Sequence, residues 1–300
     1  MSRNNSGRFG AQAPDDNAPA AAATQQSVLP TPAQAADNNP LSFVVPTEFV
    51  ELPSRGKYYP PGHVLHNAEV VEIRHMTAKD EDILTSRSLL RKGLAIDRLL
   101  QSLIVDKRIK MDDLLVGDKS AVLIAARIHA YTSEYHTQAA CPFCGATGDN
   151  LIDLNDVNLS YGEEWSDLDI EGPTETNTFL ITLPTTNAKF EVKLLTSADE
   201  KRVAKILENR KKAKMQENSV TQMLKQITVS INEHANRTDV NNFIENMPTI
   251  DSQYLRAAYN RVVPNVDMTL PYHCEECDSD STLEVPFTAE FFWPKRKLHG

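Results

Sequence analysis

Every cysteine in this 300-residue chain lies in one of two short stretches, Cys141-Pro142-Phe143-Cys144 and Cys274-Glu275-Glu276-Cys277. Their first cysteines are 133 residues apart, at 141 and 274. A CxxC turn carries two thiolates on one side of a tight loop, and two such turns complete a closed, tetrahedral four-sulfur zinc site. With no open coordination position, such a site builds structure and does no chemistry of its own. Cys141, Cys144, Cys274 and Cys277 are therefore expected to hold one structural Zn2+ per chain, where remote parts of the chain meet. The alternative is a pair of redox motifs. A thioredoxin-type CxxC needs one copy, at a helix N-terminus after a central strand. Here each CxxC lies between two short extended runs, as in a zinc ribbon.

The formal net charge is −10. That argues against a general affinity for nucleic acid or for anionic membranes, both of which want a basic footprint. No apolar run approaches the roughly 20 residues of a membrane span, and the N-terminus lacks the basic-then-apolar pattern of a secretory signal. Cysteines spaced as metal ligands fit a reducing cytoplasm, bacterial or phage-infected.

Residues 1–44 are rich in Ala, Gln, Asn, Pro and Ser, and 11–39 hold almost nothing that could pack. Such a segment buries too little apolar surface to offset the entropy of ordering, so a disordered tail is expected. It reads either as a tether that folds on a partner or as a dispensable extension.

Beyond it the chain makes two similar passes. In the first, Val70–Arg74 reads as a strand and Thr77-Ala78-Lys79-Asp80-Glu81 opens a helix, with Thr77 as cap and acids in the first turn. Apolar spacing places a second helix over 94–105. Asp118 is expected to cap a third over 119–131. Extended residues 132–140 lead into the first CxxC, Gly145 serves its turn, and 150–154 return as a strand. In the second pass, 190–195 form a strand and Thr196-Ser197-Ala198-Asp199-Glu200 opens a long helix. Its basic residues run from Lys201 and Arg202 to Lys211, Lys212 and Lys214. Residues 219–233 read as a helix with Val220, Met223, Leu224, Ile227 and Ile231 on one face. Residues 241–247 make a helical turn, Asp251 caps 252–262, and the second CxxC and a return strand follow.

The spacing supports duplication. Asp118 and Asp251 each stand 23 residues before the first cysteine of their CxxC. The offset between passes is 119 at the Thr caps and 133 at the cysteines, and the extra length is assigned to 201–219. The expected fold is α+β: two pseudo-symmetric repeats, each a strand, three helices, a zinc knuckle and a strand, joined at one shared four-cysteine site. The boundaries are a tail over 1–44, a first repeat over 45–155, an acidic connector over 156–177 and a second repeat over 178–300.

Residues 153–175 carry eight acids and no Lys or Arg. This is expected to be a solvated connector, with contact to a basic partner as the alternative. The basic helix reads as a solvated face or as the connector's own partner. It has no interleaved aromatics, which single-stranded nucleic acid would want. Catalytic signals are weak: the eight histidines show no HExxH or triad-like context, and phosphate-binding glycine motifs are missing. His273 adjoins Cys274 and is expected to support the site without ligating the metal. Phe287, Phe291, Phe292 and Trp293 either close the core over the metal or form a docking patch.

Glu51-Leu52-Pro53-Ser54-Arg55-Gly56-Lys57-Tyr58-Tyr59-Pro60, Met76-Thr77-Ala78-Lys79-Asp80-Glu81, both CxxC turns and Phe291-Phe292-Trp293-Pro294 resemble the baseplate hub proteins of T-even-like contractile-tailed bacteriophages. The resemblance covers residues 46–294 and excludes the N-terminal tail. It implies a non-enzymatic hub or hub-assembly protein with no catalytic residues to carry over. It also implies other hub and tail proteins as partners, spike and tape measure among them. Synthesis in the host cytoplasm, a place in the virion baseplate and self-association within the tail would follow. A zinc-ribbon protein of nucleic-acid binding or transcription is the runner-up, and an enzyme with a structural zinc comes third.

Overall fold

Two extended runs, Thr47–Glu51 (β1) and Val70–Arg74 (β2), pair antiparallel with Val50 opposite Val71, and both valines face the core. In the computed structural model of this protein, residues 43–163, 165–216, 218–284 and 289–292 are described. The expected tail up to residue 42, Phe287 and Trp293 lie outside them.

The loop after β1 buries Leu52, Tyr59 and Leu65. It turns at Gly56, whose φ is +69° and where a Cβ would fall 2.3 Å from the Ala68 nitrogen, so only glycine fits. Helix α1 (Ala78–Thr85) opens as expected. The Thr77 amide and hydroxyl donate to the Asp80 carboxylate at 2.9 and 2.8 Å. A short α2 (Arg87–Arg91) precedes α3 (Ala95–Leu103), which buries Leu99, Leu100 and Leu103.

Helix α4 (Val116–Ala130) starts before Asp118, so Asp118 is not its cap. It stands in the first turn, fully buried, and accepts from the Ser54 amide (2.9 Å), the Ser54 hydroxyl (2.6 Å) and the Tyr59 phenol (2.7 Å). A carboxylate there gives the buried Ser54 amide and hydroxyl an acceptor in the tight loop after β1.

Strands β3 (Glu134–Ala140) and β4 (Thr147–Asp153) form a hairpin with the first CxxC at its tip. Next come β5 (Asn158–Ser160), β6 (Ile170–Glu171), β7 (Thr178–Thr182) and β8 (Lys189–Lys193). Helix α5 (Ser197–Lys212) opens on a second capping box, Thr196 with Asp199. Helix α6 (Ser219–Ile227) stops short of the expected end at 233. Residues Thr228–Ile231 form β9 instead, which completes an antiparallel sheet ordered β6-β7-β8-β9. Thr228, Val229 and Ile231 are β-branched, and an edge of β8 needs a partner. Tertiary pairing therefore overrides the helical spacing that had placed Ile231 on a helix face.

Helix α7 (Arg237–Asn246) is a full helix where a turn was expected. Helix α8 (Thr249–Val262) begins before Asp251, repeating the correction at α4. Asp251 accepts from the Thr185 amide (2.9 Å) and from the Thr186 amide and hydroxyl (3.0 and 2.7 Å). Strand β10 (Asn265–Asp267) pairs with β5. Strands β11 (Thr269–Cys274) and β12 (Ser279–Glu284) form the hairpin that carries the second CxxC.

Among the described residues the fold thus has eight helices and only antiparallel strand pairs, which is an α+β arrangement, with four helices in each half (α1–α4 and α5–α8) where three were expected. No described helix is long and apolar enough to cross a membrane. One continuous apolar core includes Leu52, Ile73 and Leu123 from the first half and Phe179, Phe190 and Leu255 from the second. The halves also meet through backbone. The Val116 amide donates to the Leu195 carbonyl at 3.0 Å and the Ser197 amide to the Leu114 carbonyl at 2.7 Å. Phe291 and Phe292 are fully buried, so these two belong to the core.

The acidic connector is only partly solvated. Trp165 and Leu168 pack on the core, Glu163 pairs with Lys57, and Glu171 pairs with Lys189 at 2.9 Å. The basic helix is not the connector's partner among the described residues: Lys201 reaches Asp97 at 2.8 Å and also Asp112.

Candidate metal centre

Two hairpin tips meet. In the first, residues 141–146 turn back between β3 and β4. The Gly145 amide donates to the Cys141 carbonyl at 2.9 Å, and Gly145 takes a φ of +75°. In the second, the Asp278 amide donates to the Cys274 carbonyl at 2.9 Å, and Asp278 takes a φ of +53°. Each turn thus needs a residue in the left-handed region directly after its second cysteine. The sequence meets that need with glycine once and with aspartate once, two residue types that tolerate it.

These turns aim backbone amides at the first sulfur of each pair. The Phe143 amide lies 3.4 Å from Cys141 Sγ. Backbone donation, led by the Cys144 amide, lowers the Cys141 thiol pKa. The same arrangement, led by the Cys277 amide, lowers Cys274 to about 6. Cys144 goes the other way, to about 12. The Ala146 amide pulls it down, but the Cys277 thiol, burial and the other sulfurs outweigh that. Four thiols in contact do not all ionise without a cation among them.

The sulfurs pair across the tips, first with second: Cys141 Sγ lies 3.6 Å from Cys277 Sγ, and Cys144 Sγ lies 3.7 Å from Cys274 Sγ. All four lie within 4.8 Å of one another, and none forms a disulfide. Metal–sulfur bonds of about 2.3 Å in a tetrahedron place sulfurs about 3.8 Å apart. The spacing therefore suits a four-thiolate metal site. Cys141 and Cys274 are buried and form one apolar cluster with Tyr272.

The four cysteines singled out in the sequence thus lie together in an arrangement able to hold a metal. His273 is not among them. Its Nδ1 lies 2.9 Å from Asp280 and its Nε2 3.4 Å from Asp278, and hydrogen bonding to Asp280 raises its pKa. Sequence reasoning missed the loop-binding roles of Asp118 and Asp251. The available signal was a Leu-Pro pair before each loop, Leu52-Pro53-Ser54 and Leu183-Pro184-Thr185. The charged groove between the halves, with Asp97, Lys119, Glu200 and Lys201, is internally paired. Lys119 lies 3.0 Å from Asp97 and 2.8 Å from Glu200.

No curated protein and no solved structure matches this chain. A family model described as T4 bacteriophage base plate protein matches residues 45–293. The matched stretch starts just before β1, takes in both cysteine hairpins and ends just past the buried Phe291-Phe292 pair. Spanning well over half of the chain, this match places it in the T4 bacteriophage base plate protein family.

Proposed function

We propose that this protein is a structural or assembly component of the baseplate hub of a contractile phage tail. It works without catalysis, through contacts with other tail proteins. Its shape is pinned by one Zn2+ on Cys141, Cys144, Cys274 and Cys277. The observation that carries the reading is the family match over residues 45–293 together with four converging sulfurs that leave no open ligand position. Spike and tape-measure proteins are the expected neighbours. The protein is made in the host cytoplasm and sits in the tail baseplate.

We further infer that the folded region is an internal duplication. The first copy spans 45–155, a connector spans 156–177 and the second copy spans 178–300. Matched details support this. Arg74 pairs with Asp80 at 2.7 Å, and Lys193 pairs with Asp199 at 2.7 Å. Ser102 donates to Asp80 at 2.8 Å, and Gln226 donates to Asp199 at 2.7 Å. The bridge Ile73↔Ile104 matches Val192↔Thr228. The offset is 119 at the capping boxes (77 to 196), 124 at these bridges (104 to 228) and 133 at the cysteines (141 to 274). The extra length is therefore shared between α5 and the β9–α7 segment, and the basic helix holds only part of it. The crossed sulfur pairing, first with second in both directions, is what a pseudo-two-fold axis through the metal produces.

The metal is tested by cobalt substitution: one equivalent with thiolate charge-transfer absorption per chain is expected, lost equally in Cys141→Ser and Cys274→Ser. Thiolate absorption retained in full by either variant would overturn the shared site. The hub assignment is tested by cross-linking mass spectrometry of assembling tails, with links to central spike or tape-measure proteins expected. Links confined to peripheral baseplate proteins would sink it.

A further inference from the structure

A second group of metal-ligating side chains lies outside the cysteine site. Glu48 is on β1, His75 directly follows β2, and His129 is in the last turn of α4. The strand pairing sets Glu48 opposite Ile73, and the His75 amide donates to the Pro46 carbonyl at 2.9 Å, which holds His75 beside Glu48. The rings of His75 and His129 stack at 5.1 Å between centroids and 16° between planes. His75 Nε2 lies 3.8 Å from Glu48 Oε2, beyond hydrogen-bond reach. That nitrogen is shielded from solvent and has no hydrogen-bond partner. One ligand atom from each of the three residues lies within 4.8 Å of the others.

We propose that Glu48, His75 and His129 form a second metal site, for a divalent first-row transition ion. Two imidazoles and one carboxylate select zinc, copper, nickel, cobalt or iron over magnesium and calcium, which prefer all-oxygen sets. Metal–ligand bonds of about 2.1 Å place neighbouring donors about 3.4 Å apart. The trio therefore closes by about 1.4 Å at most. Rotation of Glu48, whose side chain is 46% exposed, supplies part of that movement, and the near-parallel His75 and His129 rings turn so that a nitrogen of each faces the ion. The ion gives the stranded His75 nitrogen a partner. Three protein ligands leave a position for water or for a donor from a neighbouring molecule, so this site, unlike the cysteine one, is open.

The test uses the full chain and Co2+. Cobalt bound by thiolates gives intense charge-transfer absorption, whereas cobalt bound by imidazole and carboxylate does not. Thiolate absorption is expected to saturate at one equivalent while elemental analysis after dialysis finds a second, weaker equivalent. His75→Gln, His129→Gln and Glu48→Gln are each expected to lose the second ion and keep the thiolate band, which also reports that they fold. Should His75→Gln unfold, the half-exposed Glu48→Gln decides. Bound cobalt that stops where the thiolate band saturates would overturn the proposal, leaving His75 beside Glu48 with no ion between them. So would a second ion that survives all three changes, held for instance by His273 with Asp278 and Asp280.

Discussion

The Tyr59 phenol donates to the Asp118 carboxylate at 2.7 Å while its oxygen accepts the Leu115 amide at 3.0 Å. All three groups are buried, and burial pushes the pKa of both the phenol and the carboxyl up. Tyr59→Phe removes the bridge and leaves a buried carboxylate short of one donor and a buried amide without its acceptor. The expected loss is about 1–3 kcal/mol in urea denaturation. An unchanged midpoint would mean that water replaces the phenol.

Gly117 lies where α4 meets the backbone leading into β10. A Cβ there would fall 2.0 Å from the Pro264 carbonyl oxygen and 2.8 Å from Asn265 Cα. Backbone on both sides cannot yield by side-chain rotation. Gly117→Ala is expected to cost about 1–3 kcal/mol or more, despite alanine's better helix propensity. A thermal melt at or above that of the parent protein would contradict this packing.

Acid should loosen the molecule through its paired carboxylates. Burial alone would raise Asp80, Asp199 and Asp251. The Arg74 guanidinium, the Lys193 ammonium and the Thr186 and Thr185 bonds, respectively, outweigh it and hold all three below the ordinary value. Groups with depressed folded pKa values contribute fully above the unfolded value of about 4 and lose that contribution as pH falls through the folded one. Asp118, shifted upward by burial, opposes this trend. The urea midpoint is expected to stay level from about pH 7 to about pH 5 and to drop below about pH 4. Asp80→Asn should be less stable than the parent at neutral pH and should show a shallower acid slope. An unaltered slope would remove Asp80 from the account.

Arg127 is 1% exposed, and its guanidinium spans three carbonyls: Phe291 at 2.9 Å, Thr132 at 2.6 Å and Glu134 at 3.2 Å. A lysine ammonium lacks the planar fork that reaches three acceptors at once. Arg127→Lys is expected to release the chain around Phe291 and Phe292, so chymotrypsin should cut there faster than in the parent. Equal cleavage rates would show that the aromatic pair anchors this end by packing alone.

Much of the local structure was legible in the chain. Thr77 and Thr196, each three residues before an aspartate, announced two helix starts. Apolar spacing announced α3, and the CxxC turns announced their hairpin tips. Reading failed where a distant partner decided the outcome. Residues 228–231 carry an apolar pattern that a helix can use, but β8 lies alongside and takes them as a strand. Asp118 and Asp251 look like helix caps within a short window, yet each serves a loop 64 to 66 residues away.

By itself the sequence determined the chemistry of this protein's parts: four thiols in two tight turns, two capping boxes and an acidic stretch with no cations. These follow from short-range geometry, which spacing encodes directly. Only the tertiary structure decided that the first cysteine of each turn meets the second of the other, that one core runs through both halves, and that Glu48, His75 and His129 come together. Those contacts join residues far apart in the chain. They depend on how strands pair and helices pack, and no local pattern carries that information.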